Sequence, residues 1–149
     1  MSAIFFHFEE FKPFALPEKE IVKSLLALAA AEEGEISEIN YIFCTDEFLL
    51  EINKQYLNHD YYTDIITFDY TDGMIAGDIY ISLDRVFDNS DSFKTDRSQE
   101  LCRVMAHGLL HLLGYKDKTD AEQELMTAKE DAYLSLFPSF NVPRGTLSN

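Results

Sequence analysis

The sequence predicts an α+β domain, with one mixed sheet of about four strands packed with about four to five helices. Three observations lead there. Short apolar runs of strand length alternate along the chain with longer stretches that carry apolar residues at helical spacing. The 149 residues suit one domain, and no repeat or low-complexity segment divides them. Hydrophobic residues make up 46% of the chain and aromatics 13%, the composition of a folded globule rather than a disordered chain.

The elements follow in order. "IFFHF" (4–8) is a short β-type run closed by the charged "EEFKP". "LPEKEIVKSLLALAAAEEG" is an amphipathic helix, with proline near its start and Gly34 at its end. "EISEINYIFCT" alternates as a strand, although Ile36, Ile39, Tyr41 and Phe43 are not fully in phase. "TDEFLLEINKQYLNHD" is a second helix, capped by Thr45 or Asp46. "DIITFDY" and "GDIYISL" are β-rich runs joined by the turn "TDGMIAG", which makes them neighbouring strands. "KTDRSQELCRVMAHGLLHLLG" (94–114) is a helix with a charged start and an apolar second half, expected to be buried at that end. A last helix spans about 119 to 136. The segment 138–149, "PSFNVPRGTLSN", has two prolines and little core material, and is expected to fray. Residues 1–149 thus form a single domain.

Charge and cysteine usage narrow the function classes. With 27 acids against 12 Lys and Arg, the formal net charge is −15. Such a chain repels nucleic acid and anionic membrane at long range, so a polyanionic substrate would need a local cationic patch or a metal. No stretch approaches the roughly 18 apolar residues of a membrane span. "MSAIFFHFEEF" lacks a basic region and a small-residue cleavage site, so no secretory signal is read there. Cys44 and Cys102 are too few for a disulfide scaffold and too far apart for a CxxC site. The expected setting is the reducing cytoplasm.

The stretch that carries chemistry is "HGLLHLLGYKD" (107–117). Residues four apart on a helix share a face, about 6 Å apart along the axis, so His107 and His111 can present two imidazoles to one point. Gly114 can take the left-handed conformation that ends a helix, and Asp117 arrives three residues later. Two imidazoles and a carboxylate suit a divalent cation, and three protein ligands leave a position open, as in catalytic rather than closed structural sites. A metal site on this helix and the loop after it is therefore expected, metallohydrolase-like in its ligands. The spacing is also that of the metzincin proteases, HExxHxxGxxH, but their general-base Glu is Gly108 here and their third His is Asp117. The metal frame persists while the peptide-hydrolysis chemistry does not.

The same residues resemble the YbeY family, small metal-dependent endoribonucleases of rRNA maturation. The family's HGxLHLxGYDH is similar to "HGLLHLLGYKD" at His107, Gly108, Leu110, His111, Leu112, Gly114 and Tyr115. Its LNxxYRxxDxPTDVLSFP resembles "INKQYLNHDYYTDIITFDY" at Asn53, Tyr56, Asp60, Thr63, Asp64 and Phe68. Its GDI-x-IS is "GDIYIS" (77–82), and a Met and a Glu of its last helix resemble Met126 and Glu130. The resemblance spans roughly residues 45 to 135, in three blocks in the same order.

The resemblance implies a single-strand endoribonuclease of rRNA maturation and ribosome quality control, with one divalent metal on His107, His111 and Asp117. Zinc is favoured; the harder oxygen of Asp117, in place of the family's third histidine, also admits Ni, Mn or Fe. The implied partner is rRNA or a ribosomal particle, with no membrane. The family's arginine after the shared tyrosine is Leu57 here, so Arg103, one turn before His107, and Lys116, beside Asp117, are the candidates for substrate-binding charge. Thr63–Asp64 and Asp78 either brace turns or touch substrate. Two other readings are a ribosome-assembly factor that binds a ribosome-associated protein partner and keeps a structural metal, and a metalloprotease.

Overall fold

The computed structural model describes residues 3–143 and contains nine elements along the chain. They are β1 (Ala3–Glu9), α1 (Glu18–Ala31), β2 (Ile36–Cys44), α2 (Asp46–Leu57), β3 (Ile65–Asp69), β4 (Ile75–Ser82), α3 (Leu83–Phe93), α4 (Arg97–Leu112) and α5 (Asp120–Leu134). The strands form one mixed sheet in the order β1-β2-β4-β3. β2 runs parallel to both β1 and β4, while β3 pairs antiparallel to β4 and forms an edge. The expected α+β class and four-stranded mixed sheet are both present, with five helices.

The burial of each strand explains its place. β2 lies inside the sheet and is buried at Ile36, Ile39 and the whole run from Tyr41 to Cys44. That double-sided burial is why its alternation reads poorly in the sequence. One sheet face packs against α1 and α4 in the main core, which includes Ile21, Leu25, Leu28, Ile39, Phe43, Ile79 and Leu109. The other face carries α2 over a smaller cluster of Cys44, Leu49 and Ile66. Both cysteines are free and buried.

α4 lies close against the sheet, and Gly108 permits it. A Cβ built there would sit 2.9 Å from Ile79 Cγ2 and 3.2 Å from Ile65 Cδ1. Ile79 is fully buried. A glutamate at 108 would therefore displace the helix that carries both histidines. Tyr41, also fully buried, ties α4 to β2 by donating its hydroxyl to the Met105 carbonyl at 2.9 Å.

Three expectations are revised. α3 was not foreseen: Ser82 ends β4 and caps the new helix by accepting the Arg85 N–H at 3.2 Å, so Leu83 is helical rather than part of the strand. The helix expected over 94–114 starts at Arg97, because the Asp96 side chain accepts from the N–H groups of Ser98 and Gln99. The segment expected to fray, 138–149, is docked where it is described: Val142 is buried, Phe140 packs on the core, and the Phe140 N–H bonds Ser98 Oγ at 3.3 Å. The remainder, 144–149, lies outside the described residues. Among the described residues no helix is long and apolar enough to cross a membrane.

Replacing Gly108 tests this close approach. Alanine is the better helix former by about 1 kcal/mol, but overpacking a filled core costs about 1–3 kcal/mol. Gly108→Ala is expected to lower stability in urea denaturation by about 1 kcal/mol net, and a gain would show that α4 has room to spare.

Candidate metal centre

The site is assembled from the C-terminal turns of α4, the loop after it and α5. Its loop follows from a hydrogen-bonded helix stop. The Tyr115 N–H reaches the Leu110 carbonyl and the Gly114 N–H reaches the His111 carbonyl, both at 3.0 Å, with Gly114 at φ +108°. This pair is a Schellman stop, which needs a left-handed residue that glycine supplies without a Cβ clash. The reversed chain returns Asp117 to the face that holds His107 and His111. Thr119 and Glu122 then cap α5 reciprocally.

The three predicted ligands meet at one point. His107 Nε2 and His111 Nε2 are 3.0 Å apart, and Asp117 Oδ2 is 3.2 Å from each. Atoms about 2.0–2.1 Å from a tetrahedral ion lie about 3.3 Å from one another, so the triangle has the dimensions of a metal-ligand set. Among the described residues this trio is the group of ligating side chains able to hold a metal ion.

The hydrogens point the same way. His107 Nδ1 lies 2.6 Å from Glu130 Oε2 and His111 Nδ1 lies 2.9 Å from the Tyr115 carbonyl. Carboxylate and carbonyl oxygens only accept, so both Nδ1 atoms carry the proton and both neutral rings offer an Nε2 lone pair. Three lone-pair acceptors then face one another at contact distance, an arrangement that only a cation or an added proton relieves. The same crowding acts on His107. Burial lowers its pKa, but the Glu130 hydrogen bond and the charges of Glu130, Asp117 and Asp64 outweigh that and raise it.

Each ring is held from behind. Glu130, buried on α5, receives Arg103 Nη1 at 2.9 Å on its other oxygen, while Arg103 Nη2 pairs with Asp131 at 2.6 Å. The loop behind His111 is pinned by Glu32, at the end of α1. That carboxylate accepts from the hydroxyls of Tyr115 and Tyr133 and from Lys129 Nζ, the last at 2.9 Å. Such partners fix the tautomer and orientation of metal-binding histidines. Burial pushes the Glu32 carboxyl up, but the bonds from Tyr115, Tyr133 and Lys129 prevail and hold it below the ordinary glutamate value.

The trio lines an open cavity of about 840 Å³ that runs along the β3 edge, past Tyr61, Thr63, Asp64 and Thr67. Lys116 and Lys118 are on its wall. Arg103 is not: its guanidinium is engaged by Glu130 and Asp131 behind His107. Leu57, the last residue of α2, is also outside the lining. Asp78 faces the other side of the sheet and accepts from Asn40 Nδ2 at 3.2 Å. Asp64 faces the cavity; burial raises its pKa and the nearby His107 partly offsets that. The residues that sequence reasoning left without a role are Glu130 and Glu32. Spacing on one helix gave no sign of them, although the likeness of the last helix to the family pattern singled out Glu130.

Two imidazoles on one helix, a carboxylate from the following loop and an open side define the class: a small α+β protein with a side-chain group able to hold a metal ion. The chain belongs to the YbeY family. Residues 10–138 match the family described as Endoribonuclease YbeY. The protein of that name from Cytophaga hutchinsonii is 53% identical over 134 residues, covering 88% of this chain and 94% of the relative. The one from Parabacteroides distasonis is 46% identical over 137 residues, covering 91% and 96%. The solution structure of TM1509 from Thermotoga maritima superposes with a TM-score of 0.65 at 26% identity, covering 89% of this chain and 87% of the other.

The Glu32 cluster gives a pH test. A carboxyl with a depressed folded pKa adds stability above its unfolded value and loses it as pH falls through the folded one. Glu32→Gln should cost about 1 kcal/mol at pH 7, the scale of a hydrogen bond to a charged group after solvent screening. The gap between wild type and variant should close as pH drops below 4.5, the ordinary glutamate value. Thermal melts from pH 7 to pH 3 check this, and a gap that is constant with pH would refute it.

Proposed function

We propose that this chain is a metal-dependent endoribonuclease that cleaves single-stranded RNA in rRNA maturation, using one divalent ion, zinc, on His107, His111 and Asp117. The observation that carries the reading is the triangle of lone-pair acceptors opening onto a cavity. Its family membership supplies the reaction class, since the relatives are named endoribonucleases. A divalent ion held by His107, His111 and Asp117 would supply positive charge to a phosphoryl oxygen and would lower the pKa of water from 15.7 to about 7.

The chain's own groups do the rest. Glu130 and the Tyr115 carbonyl hold the imidazoles with Nε2 forward. Asp117, whose side chain is 38% exposed, leaves the outer side of the site open to substrate. Lys116 and Lys118 bring positive charge to the cavity wall. Gly108 stands where a metalloprotease helix carries its base, and Asp64, whose pKa burial raises, lies in the same cavity. Arg103 acts behind His107 by holding Glu130 in place, rather than by meeting the phosphate.

A net charge of −15 disfavours broad affinity for free RNA, so the substrate is best met within a ribosomal particle in the cytoplasm. The open cavity and the family favour an enzyme over an assembly factor with a closed structural metal, and Gly108 disfavours a protease. His107→Ala should abolish cleavage of a single-stranded oligoribonucleotide, with the circular dichroism spectrum retained. Cleavage that persists in this variant would reject the scheme.

A further inference from the structure

We propose that Tyr61, backed by His59, is a stacking platform for one base of single-stranded RNA at the mouth of the metal cavity. This rests on the endoribonuclease reading and names how its substrate is held.

The ring is exposed yet fixed. Tyr61 is 53% exposed on the segment between α2 and β3, where it lines the cavity that contains His107, His111 and Asp117. Its ring stacks on the His59 imidazole, with centroids 5.1 Å apart and planes 29° from parallel. The Tyr61 hydroxyl and His59 Nδ1 are bonded at 2.9 Å. The backbone beneath is anchored by Asn53, only 1% exposed, whose Nδ2 donates to the Tyr61 carbonyl at 2.9 Å. The Asn53 carbonyl in turn accepts the His59 N–H at 3.1 Å. One face of the phenol is thus covered by imidazole while about half of the residue meets solvent. A free ring would lose side-chain freedom on stacking; this one has already lost it.

The charges around the cavity explain why a ring is needed. Lys116 and Lys118 are offset there by Asp64, Asp69 and Asp117, on a chain whose net charge is −15. Phosphate neutralisation, the usual source of nucleic-acid affinity, is therefore weak. Stacking of a base on an aromatic side chain contributes about 1–3 kcal/mol and tolerates any base, and because it neutralises no phosphate it releases no counterions. Tyr61 offers an exposed ring beside the metal ligands, whereas Tyr115, the other tyrosine on the wall, has its hydroxyl on Glu32 and Lys129 over its ring. A single-stranded segment with unstacked bases meets that geometry and a duplex does not.

The test uses metal-loaded full-length protein and an unstructured oligoribonucleotide, with kcat and KM measured at 50 and 200 mM salt. Tyr61→Leu, which keeps apolar bulk without a π face, should raise KM by about 5- to 150-fold and leave kcat within about twofold. Tyr61→Phe should restore the wild-type KM. The wild-type KM should rise less than about tenfold between the two salt concentrations, against about 10³–10⁵ for a protein making six to ten phosphate contacts. An unchanged KM in Tyr61→Leu overturns the proposal and leaves the ring to a protein partner. So does a phenylalanine variant as weak as the leucine one, or a steep salt dependence. If the wild-type protein cleaves no RNA, the endoribonuclease reading itself fails, an outcome distinct from cleavage that is indifferent to Tyr61.

Discussion

Three electron pairs that face one another across about 3 Å set the terms for everything around them. His107, His111 and Asp117 have no hydrogen to share on their facing sides once both Nδ1–H groups donate to Glu130 and the Tyr115 carbonyl. A fold that holds acceptors in this way destabilises itself unless a cation is bound, because their mutual repulsion is fixed in a partly buried place. Binding free energy then stabilises the fold as well. The polar supports behind the rings are best understood as the structure needed to keep the acceptors together.

Those supports come from distant parts of the chain and converge through packing. α4 can bring two imidazoles to the cavity only because Gly108 lets it settle on Ile79 and Ile65. Gly114 then turns the loop so that one backbone carbonyl orients His111 and, two residues on, a carboxylate completes the triangle. Glu32 reaches that loop from the end of α1, and Arg103 steadies Glu130 from one turn before His107. The arrangement gives a fixed set of acceptors able to hold an ion beside an open cavity, the balance a catalytic metal site needs. It also explains why a protease base is absent, since position 108 is filled by the sheet.

Much of this was legible in the sequence because it is local. Helical spacing put His107 and His111 on one face, and glycine chemistry predicted the stop at Gly114. Periodicity and capping residues located every strand and four of the helices. α3 escaped because eleven residues contain seven polar ones, and its buried Leu83, Val86 and Phe87 occupy less than two turns. Phe140 and Val142 are too few to signal packing in the sequence, yet within the described part of the tail both pack on the core, and Phe140 bonds Ser98 near the start of α4. The role of Arg103 depended on α5 bringing Glu130 and Asp131 across to it, from 27 and 28 residues away. Glu32 meets Tyr115 over 83 residues, a distance that no local pattern encodes.

Metal content of the purified protein addresses the central claim most directly, measured by elemental analysis for the wild type and for Asp117→Ala after dialysis against metal-free buffer. The account predicts one divalent ion per wild-type chain and a substoichiometric amount in the variant. A wild-type protein that neither retains nor takes up a divalent ion, or a variant that holds it equally well, would contradict it.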